Sequence, residues 1–151
     1  SIGITVLDQT IFIKNLMVQK GVLTKSTPTQ EELYDIEYGF KTAKEMGKLD
    51  IGQSVVMKNR MIMAVEAIEG TDKCIKRGAK LARGKGAVVV KVAKPNQDKR
   101  FDIPTVGIRT LKTMRRYGAS VLALEAGETI IVNQEEMIKY ADKHKISIIA
   151  V

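Results

Sequence analysis

Apolar and polar residues follow two alternating periodicities along this chain, and the pattern predicts strands and helices in succession. The clearest helix lies in TPTQEELYDIEYGFKTAKEMG, where Leu33, Ile36, Phe40 and Ala43 recur at helical spacing. Short runs rich in Val, Ile and Met lie on either side of Lys58-Asn59 and predict a hairpin, because asparagine tolerates the left-handed backbone of a tight turn.

Residues that favour helix ends locate the boundaries of the predicted helices. Thr27 as N-cap, Pro28 at the first helical position and Gln30 as partner form a capping box before the first helix, and Gly47 closes it. Later helices are predicted to start at Thr71 or Asp72, at Arg109, and at a second capping box, Asn133 with Glu136. They end near residues 82, 117 and 144. The remaining strands are predicted at 51–57, 61–66, 87–93, 121–125, 129–132 and 146–151.

This succession predicts the α/β class: a mixed, mostly parallel sheet with helices on both faces, forming a three-layer sandwich. Residues 1–25 are interpreted as a strand at 2–6, a helix capped near Asp8 and a connector, all from a preceding domain. Residues 26–151 form the second, C-terminal domain.

The amino-acid composition and net charge limit the classes of function that this chain can have. The net charge of +8 suits an anionic partner. The single cysteine excludes a disulfide framework and a cysteine metal site, and it favours a reducing cytoplasmic setting. No apolar run reaches the ~20 residues that span a bilayer, and no signal-peptide pattern occurs. The seven Tyr and Phe residues are not interleaved with basic residues, as a base-stacking surface requires.

Carboxylates follow two predicted strands, in the segments AVEAIEGTD and KVAKPNQDKRFD. Because ligands of open α/β sheets gather where strands run into loops, these segments are candidates for one site. Carboxylates are the usual protein ligands of Mg²⁺ and Mn²⁺. The candidate residues are Glu66, Glu69, Asp72, Asp98 and Asp102. Asp72 also suits a helix N-cap, and the two later aspartates suit turns.

Basic residues accompany the same loops. Lys91 lies in a strand of apolar residues, where a charge is costly unless it is paired or borders a pocket. Lys94, Lys99 and Arg100 follow it, and both residue types bind phosphate. The N–H groups after Gly70 offer another phosphate position at a helix start. By contrast, His144 ends a helix and Cys74 suits packing, so neither is assigned to catalysis.

The pieces GQSVV, AVEAIEGTD, KVAKPNQDKRFDIPTVG and ALEAGETIIV resemble, in order, the C-terminal half of the LpxI-type UDP-2,3-diacylglucosamine pyrophosphatases. GVLTKSTPTQEE and DIEYGF match as well, whereas Asn59-Arg60 stands where the family usually has a glycine. The resemblance implies that residues 26–151 are the catalytic-type α/β domain and that an N-terminal Rossmann-like domain covers the substrate. It implies hydrolysis of UDP-2,3-diacylglucosamine to 2,3-diacylglucosamine 1-phosphate (lipid X) and UMP in lipid A synthesis, with a divalent cation.

Site roles follow from the resemblance together with the charges. Asp102 and then Asp98 are expected to act in catalysis, by holding metal or activating water. The expected ligands of Mg²⁺ (or Mn²⁺) are Asp72, Glu69, Glu66 and Asp102. The residues expected to bind substrate are Lys91, Lys94, Arg100, Gln53, Gln97, Gly70 and Thr71. The protein is expected in the cytoplasm, peripheral to the inner membrane.

Two alternatives use the same residues differently. A non-catalytic module for nucleotides or phosphorylated sugars keeps the binding groups without turnover. A basic nucleic-acid-binding domain uses the net charge, and it predicts affinity that falls steeply with salt.

Overall fold

The structure is a computed structural model, and it describes residues 3–6, 16–96, 98 and 102–151. The predicted strand at 2–6 is not found in its described part, 3–6, and the predicted helix near Asp8 lies outside the described residues. The described elements are β1 (Gly21–Val22), α1 (Gln30–Lys48), β2 (Ser54–Lys58), β3 (Met61–Val65), α2 (Thr71–Leu81), β4 (Ala87–Lys91), β5 (Thr105–Val106), α3 (Ile108–Tyr117), β6 (Ala119–Leu124), β7 (Ile130–Ile131), α4 (Gln134–Lys143) and β8 (Ser147–Ala150).

Six strands form one mixed sheet in the order β1-β8-β6-β4-β2-β3. Strands β3, β4, β6 and β8 run in the same direction, and β1 and β2 run opposite to them. The short strands β5 and β7 pair separately, in parallel. The predicted fold class, a mixed and mostly parallel sheet between helices, is confirmed.

The helices are divided unequally between the two faces of the sheet. Helices α2, α3 and α4 each connect two strands that run in the same direction, and each connection advances along the sheet towards β8. Right-handed crossovers that advance in one direction place their helices on the same face. Helix α1 packs on the other face, mainly against β2 and β4. Two apolar cores result, one on each side, and every residue of β4 is buried between them.

Helix α1 lies close to the sheet because it has a glycine, Gly39, on the side that faces the sheet. A Cβ on Gly39 would lie 2.8 Å from Cγ2 of Val90 and 3.0 Å from Cγ of Met57. The apolar residues Ile36, Ala43 and Met46 continue the same buried side of the helix. This packing anchors the C-terminal end of α1 next to the segment that follows β4.

The predicted helix starts are corrected in three places. Helix α1 is capped by Thr29 and Glu32, not by Thr27 and Gln30: Glu32 N donates to Thr29 Oγ1 over 3.2 Å, and Thr29 N donates to Glu32 Oε1 over 3.0 Å. The later box prevails because a carboxylate accepts hydrogen bonds more strongly than an amide does. Helix α4 follows Asn133 as predicted, but Asn133 Nδ2 donates to Glu136 Oε2 instead of the two side chains bonding the backbone.

The third correction concerns α2, whose N-cap is Gly70, without a side-chain cap bond. Thr71 and Asp72 are the first helical residues, and both side chains bond groups outside the helix. The side chains of Thr71 and Asp72, which the sequence predicts as helix caps, thus bond Glu66 and Arg109 instead.

Cys74 is fully buried on α2, and burial raises the pKa of its thiol to about 12. The thiol of the unfolded chain has a pKa of about 8.5. Between these two values the unfolded state loses a proton that the native state keeps, so the free energy of unfolding should fall as pH rises through this window.

We expect iodoacetamide to label native Cys74 at pH 9 only at the rate of unfolding, and rapid labelling of native protein would contradict this. In a Cys74→Ala control, the slope of stability against pH above 9 should be smaller.

Candidate active site

The polar segments lie at the carboxyl ends of the strands that run in the same direction, β3, β4, β6 and β8. We call this end of the sheet the sheet edge. Glu66 follows β3 and Lys91 is the last residue of β4. The two strands are not neighbours, because β2 lies between them, but they are parallel to each other and end at the same edge. Ser54, at the start of β2, is the cross-strand partner of Lys91.

Lys91 is the central group of this edge. The residue is only 8% exposed, and its Nζ donates to the carbonyl of Thr105 over 3.2 Å. Burial lowers the pKa of Lys91, and the carboxylates of Glu66, Asp72 and Asp102 act in the opposite direction. Carboxylates from three separate segments therefore lie within electrostatic range of one buried ammonium group. These negative charges offset part of the cost of burying the ammonium group.

Hydroxyl groups connect two of the segments. Thr71 Oγ1 donates to Glu66 Oε2 over 3.3 Å, and Ser54 Oγ lies 3.4 Å from Thr71 Oγ1. Glycine at position 52 permits this close approach, because a Cβ there would collide with the carbonyl of Glu66. Gln53 lies beside them, and its buried Oε1 has no hydrogen-bond partner within the described part of the chain. Its backbone carbonyl accepts from Val92 N, which holds the end of β4 against β2.

Two of the candidate carboxylates are held by arginines on the helices. Arg109 Nε lies 2.9 Å from Asp72 Oδ2, so α3 reaches the start of α2. Glu69 pairs with Arg77, whose Nη2 also donates to the carbonyl of Val65 over 2.7 Å. The hydrogen bond from Arg77 lowers the pKa of Glu69. Glu69 is not among the carboxylates that act on Lys91, so its described role is to fix the loop between β3 and α2.

Asp98 and Asp102 border an open cleft of about 410 Å³ at the end of α1. Asp102 N donates to the carbonyl of Asp98 over 2.9 Å. Lys94 lines the same cleft and pairs with Asp50 at 2.7 Å, and this bond lowers the pKa of Asp50. Because Asp102 both lines the cleft and acts on Lys91, it connects the cleft with the buried ammonium.

An ion pair not foreseen from the sequence fixes the segment after β4. Lys44 on α1 donates to both carboxylate oxygens of Glu125, at 3.0 and 3.1 Å, and to the carbonyl of Ala93 at 2.9 Å. Glu125 Oε2 in turn accepts from Ala93 N at 2.8 Å. Glu125 directly follows β6, and this position at the end of a strand is the sequence feature that could have identified it. Arg109 lies three residues after the end of β5, so the same feature applies to it.

Replacing Lys44 with methionine should lower the free energy of unfolding by about 1–3 kcal/mol, because Glu125 keeps its partial burial but loses its charged partner. Urea denaturation measures the change. Lys41→Met is the matched control on the same helix, since the Lys41–Glu37 pair is exposed and should contribute under about 0.5 kcal/mol. Equal losses in the two variants would contradict this assignment.

The donor chemistry of the edge suits Mg²⁺ or Mn²⁺, since it offers carboxylate oxygens beside groups that fit phosphate. Within the described residues, however, no three His, Cys, Asp or Glu side chains are grouped closely enough to hold an ion. Mg²⁺ is commonly bound by one or two carboxylates together with substrate phosphates, so the residues fit an ion that arrives with its substrate. Gln97 and Arg100, both predicted to bind substrate, lie outside the described residues.

Comparison with known proteins identifies the family of this chain. The family model described as the LpxI C-terminal domain matches residues 19–149. A protein of Caulobacter vibrioides named UDP-2,3-diacylglucosamine pyrophosphatase LpxI is 37% identical over 134 residues, which cover 84% of this chain and 48% of that relative. The chain thus spans about half the length of the relative. It belongs to the LpxI C-terminal domain family.

Proposed function

We propose that this chain supplies the C-terminal, catalytic-type domain of a UDP-2,3-diacylglucosamine pyrophosphatase. The reaction is hydrolysis of the diphosphate of UDP-2,3-diacylglucosamine to 2,3-diacylglucosamine 1-phosphate and UMP in lipid A synthesis. Membership of the family and the name of the Caulobacter relative support the substrate. The observation that carries the proposal is the buried Lys91 ammonium at the sheet edge, within electrostatic range of the carboxylates of Glu66, Asp72 and Asp102.

The charge distribution fits the chemical problem. A diphosphate repels an attacking water through its negative charges until cations compensate them. Lys91 and Lys94 lie three residues apart and offer two ammonium groups. The ammonium of Lys91 is buried, and Lys94 lines the cleft. The first N–H groups of α2, after Gly70, add a further position for a phosphate oxygen. Arg100 adds charge in the sequence of the same loop.

We assign the proton transfer to Asp102. Water attacks one phosphorus of the diphosphate, the bond from that phosphorus to the bridging oxygen breaks, and the carboxylate of Asp102 accepts the proton of the water. Lys91 stabilises the charge that develops on the phosphoryl oxygens. Mg²⁺ or Mn²⁺, when bound together with the substrate phosphates, would supply further charge neutralisation, and one or two of the carboxylates of Asp72, Glu66 and Asp102 would hold it. Asp98 and Gln53 orient oxygens of the substrate from the cleft and from the start of β2.

We assign the part of the relative's length that this chain does not span to an N-terminal domain that covers the substrate. The site described for this chain is open: Asp102 is exposed and the cleft faces solvent. Phosphoryl transfer is favoured when bulk water is excluded. The protein is proposed to act in the cytoplasm at the inner membrane, where its acylated substrate resides. None of the described helices has the length and apolar character needed to span a bilayer.

The test is hydrolysis of UDP-2,3-diacylglucosamine, dispersed in detergent, by the complete two-domain protein. UMP and 2,3-diacylglucosamine 1-phosphate should appear in equal amounts, and EDTA should abolish turnover until Mg²⁺ is restored. Binding of the substrate without release of UMP, in the presence of Mg²⁺, would favour the non-catalytic binding module. Release of UDP in place of UMP would show cleavage outside the diphosphate and would contradict the proposed reaction.

A further inference from the structure

Two adjacent helices hold nearly all of the positive charge excess of the chain. Helices α2 and α3 contain eight basic residues and one acidic residue, Asp72, in a chain whose net charge is +8. Helix α1, on the opposite face of the sheet, contains five acidic and three basic residues. We call the eight residues the basic face: Lys73, Lys76, Arg77, Lys80, Arg109, Lys112, Arg115 and Arg116. The charge of the molecule is therefore strongly one-sided.

Five of the eight residues of the basic face line an open groove of about 280 Å³ between α2 and α3: Lys73, Lys76, Arg109, Lys112 and Arg116. Lys76, Lys80 and Arg116 lie 5.6, 5.8 and 5.5 Å from the ring centroid of Tyr117, which holds them on one side of the molecule. The groove begins at Asp72, whose carboxylate is already paired with Arg109. Like charges are thus gathered without an equal number of acidic partners on the two helices, which is unfavourable unless an anionic partner binds.

We propose that the basic face docks the protein on an anionic phospholipid bilayer. Its cations are strongly exposed, Arg109 by 89% of its side chain, and one small anion gains little from exposed charges in water. A bilayer presents many phosphates at once, and each basic residue near an anionic surface strengthens partition by roughly fivefold. An extended surface of lipid headgroups therefore uses the whole face, whereas a small ligand uses only the groove.

An exposed apolar residue favours a bilayer over a nucleic acid. Ile68 is fully exposed in the loop that leads to Gly70 and α2. A bilayer can bury such a side chain among acyl chains, whereas a nucleic acid backbone offers it nothing comparable. Docking here would bring the sheet edge with Lys91 to the membrane. This inference rests on the proposed function, because a diacylated substrate is presented by the membrane.

The test measures co-sedimentation of the 151-residue chain with vesicles of phosphatidylcholine, with and without 30 mol% phosphatidylglycerol, at about 0.1 M salt. The triple variant Lys76→Gln/Lys112→Gln/Arg116→Gln should bind the anionic vesicles at least about 20-fold more weakly than the unmodified chain. The control triple, Lys20→Gln/Lys41→Gln/Lys139→Gln, removes the same charge elsewhere and should lose less than threefold. Ile68→Ser should weaken vesicle binding severalfold and leave binding to duplex DNA unchanged. Thermal unfolding of each variant confirms that it is folded.

Three outcomes would overturn the proposal. These are equal binding to neutral and anionic vesicles, equal losses in the two triple variants, and binding to duplex DNA that is tighter than binding to anionic vesicles at the same salt. Activity separates this inference from the proposed function. In the complete protein, the basic-face triple should hydrolyse detergent-dispersed substrate at the normal rate and vesicle-embedded substrate more slowly. If hydrolysis is observed but vesicle binding is not, docking alone is wrong, whereas absence of hydrolysis in detergent contradicts the proposed function.

Discussion

Lys91→Met is expected to lower turnover of UDP-2,3-diacylglucosamine by the complete protein at least about 100-fold, the effect of removing a preorganised donor that stabilises charge in a transition state. Methionine keeps most of the length and volume of the lysine stem, so the packing of β4 should survive. The carboxylates of Glu66, Asp72 and Asp102 all lie within electrostatic range of the buried ammonium. Its loss should appear in kcat, since the phosphoryl charge develops after the substrate has bound.

Stability should change far less than activity in this variant. Burial lowers the pKa of Lys91 relative to the unfolded chain, whose lysines titrate near 10.4. Between the lowered pKa and that value the unfolded state binds more protons, so Lys91 makes the free energy of unfolding rise with pH in this window. Lys91→Met should remove this contribution and should leave the melting temperature within a few degrees of the unmodified protein at neutral pH.

Lys41→Met provides the control, because Lys41 is an exposed lysine paired with Glu37 on the opposite face of the sheet. It should change neither kcat nor stability measurably. Near-normal turnover of Lys91→Met would remove the ammonium from the mechanism. A variant that is inactive because it is unfolded would show a lost thermal transition, and Lys91→Gln, which keeps a hydrogen-bond donor, then provides the activity comparison.

Asp102→Asn is the second substitution with a large expected effect. The change preserves size but removes the charge and the basic oxygen, and loss of a positioned general base costs about 100-fold to 10,000-fold in rate. Asp102 lines the open cleft together with Asp98 and also acts electrostatically on Lys91. We expect kcat to fall by at least about 100-fold, with a smaller change in KM.

Asp50→Asn is the matched control, since Asp50 lines the same cleft but is paired with Lys94. It should lower kcat less than about fivefold, the effect expected for one exposed ion pair. Similar losses in Asp50→Asn and Asp102→Asn would show that the cleft needs only its overall charge. A further comparison at raised Mg²⁺ concentration distinguishes roles, because a substitution that weakens ion binding is partly rescued by more Mg²⁺, whereas loss of the base is not.

Much of the fold was predictable because each element carries its own local signal. The turn at Asn59, the continuous apolar run of β4 and the left-handed Gly118 at the end of α3 are encoded within a few residues. Strands joined by helices then predict a sheet covered on both faces. The order of the strands in the sheet was harder to predict from the sequence. The insertion of β2 between β3 and β4 depends on which strands pair across long separations, and local periodicity does not report this.

The candidate site was predictable as segments but not as contacts. Glu66, Lys91 and Asp102 were identified because charged residues at strand ends stand out against apolar runs. Arg109 and Lys44 were not identified, because a basic residue on a predicted helix looks like any solvated residue. Glu125 follows an apolar strand, but its pairing with Lys44 depends on packing between distant segments. Glu69 was predicted as a metal ligand, and its ion pair with Arg77 was not foreseen from the sequence.

By itself, the sequence determined the α/β class, the helix and strand content and the family, and it identified the two polar segments in which we propose that the chemistry lies. It did so because hydrophobic periodicity, turn residues and ordered motifs are properties of neighbouring positions. The tertiary structure alone decided that carboxylates from three distant segments lie within electrostatic range of one buried ammonium, and that the charges of α2 and α3 form one surface. Those relations depend on strand order and on the right-handed crossovers that place α2 beside α3, so they arise only when distant segments pack together.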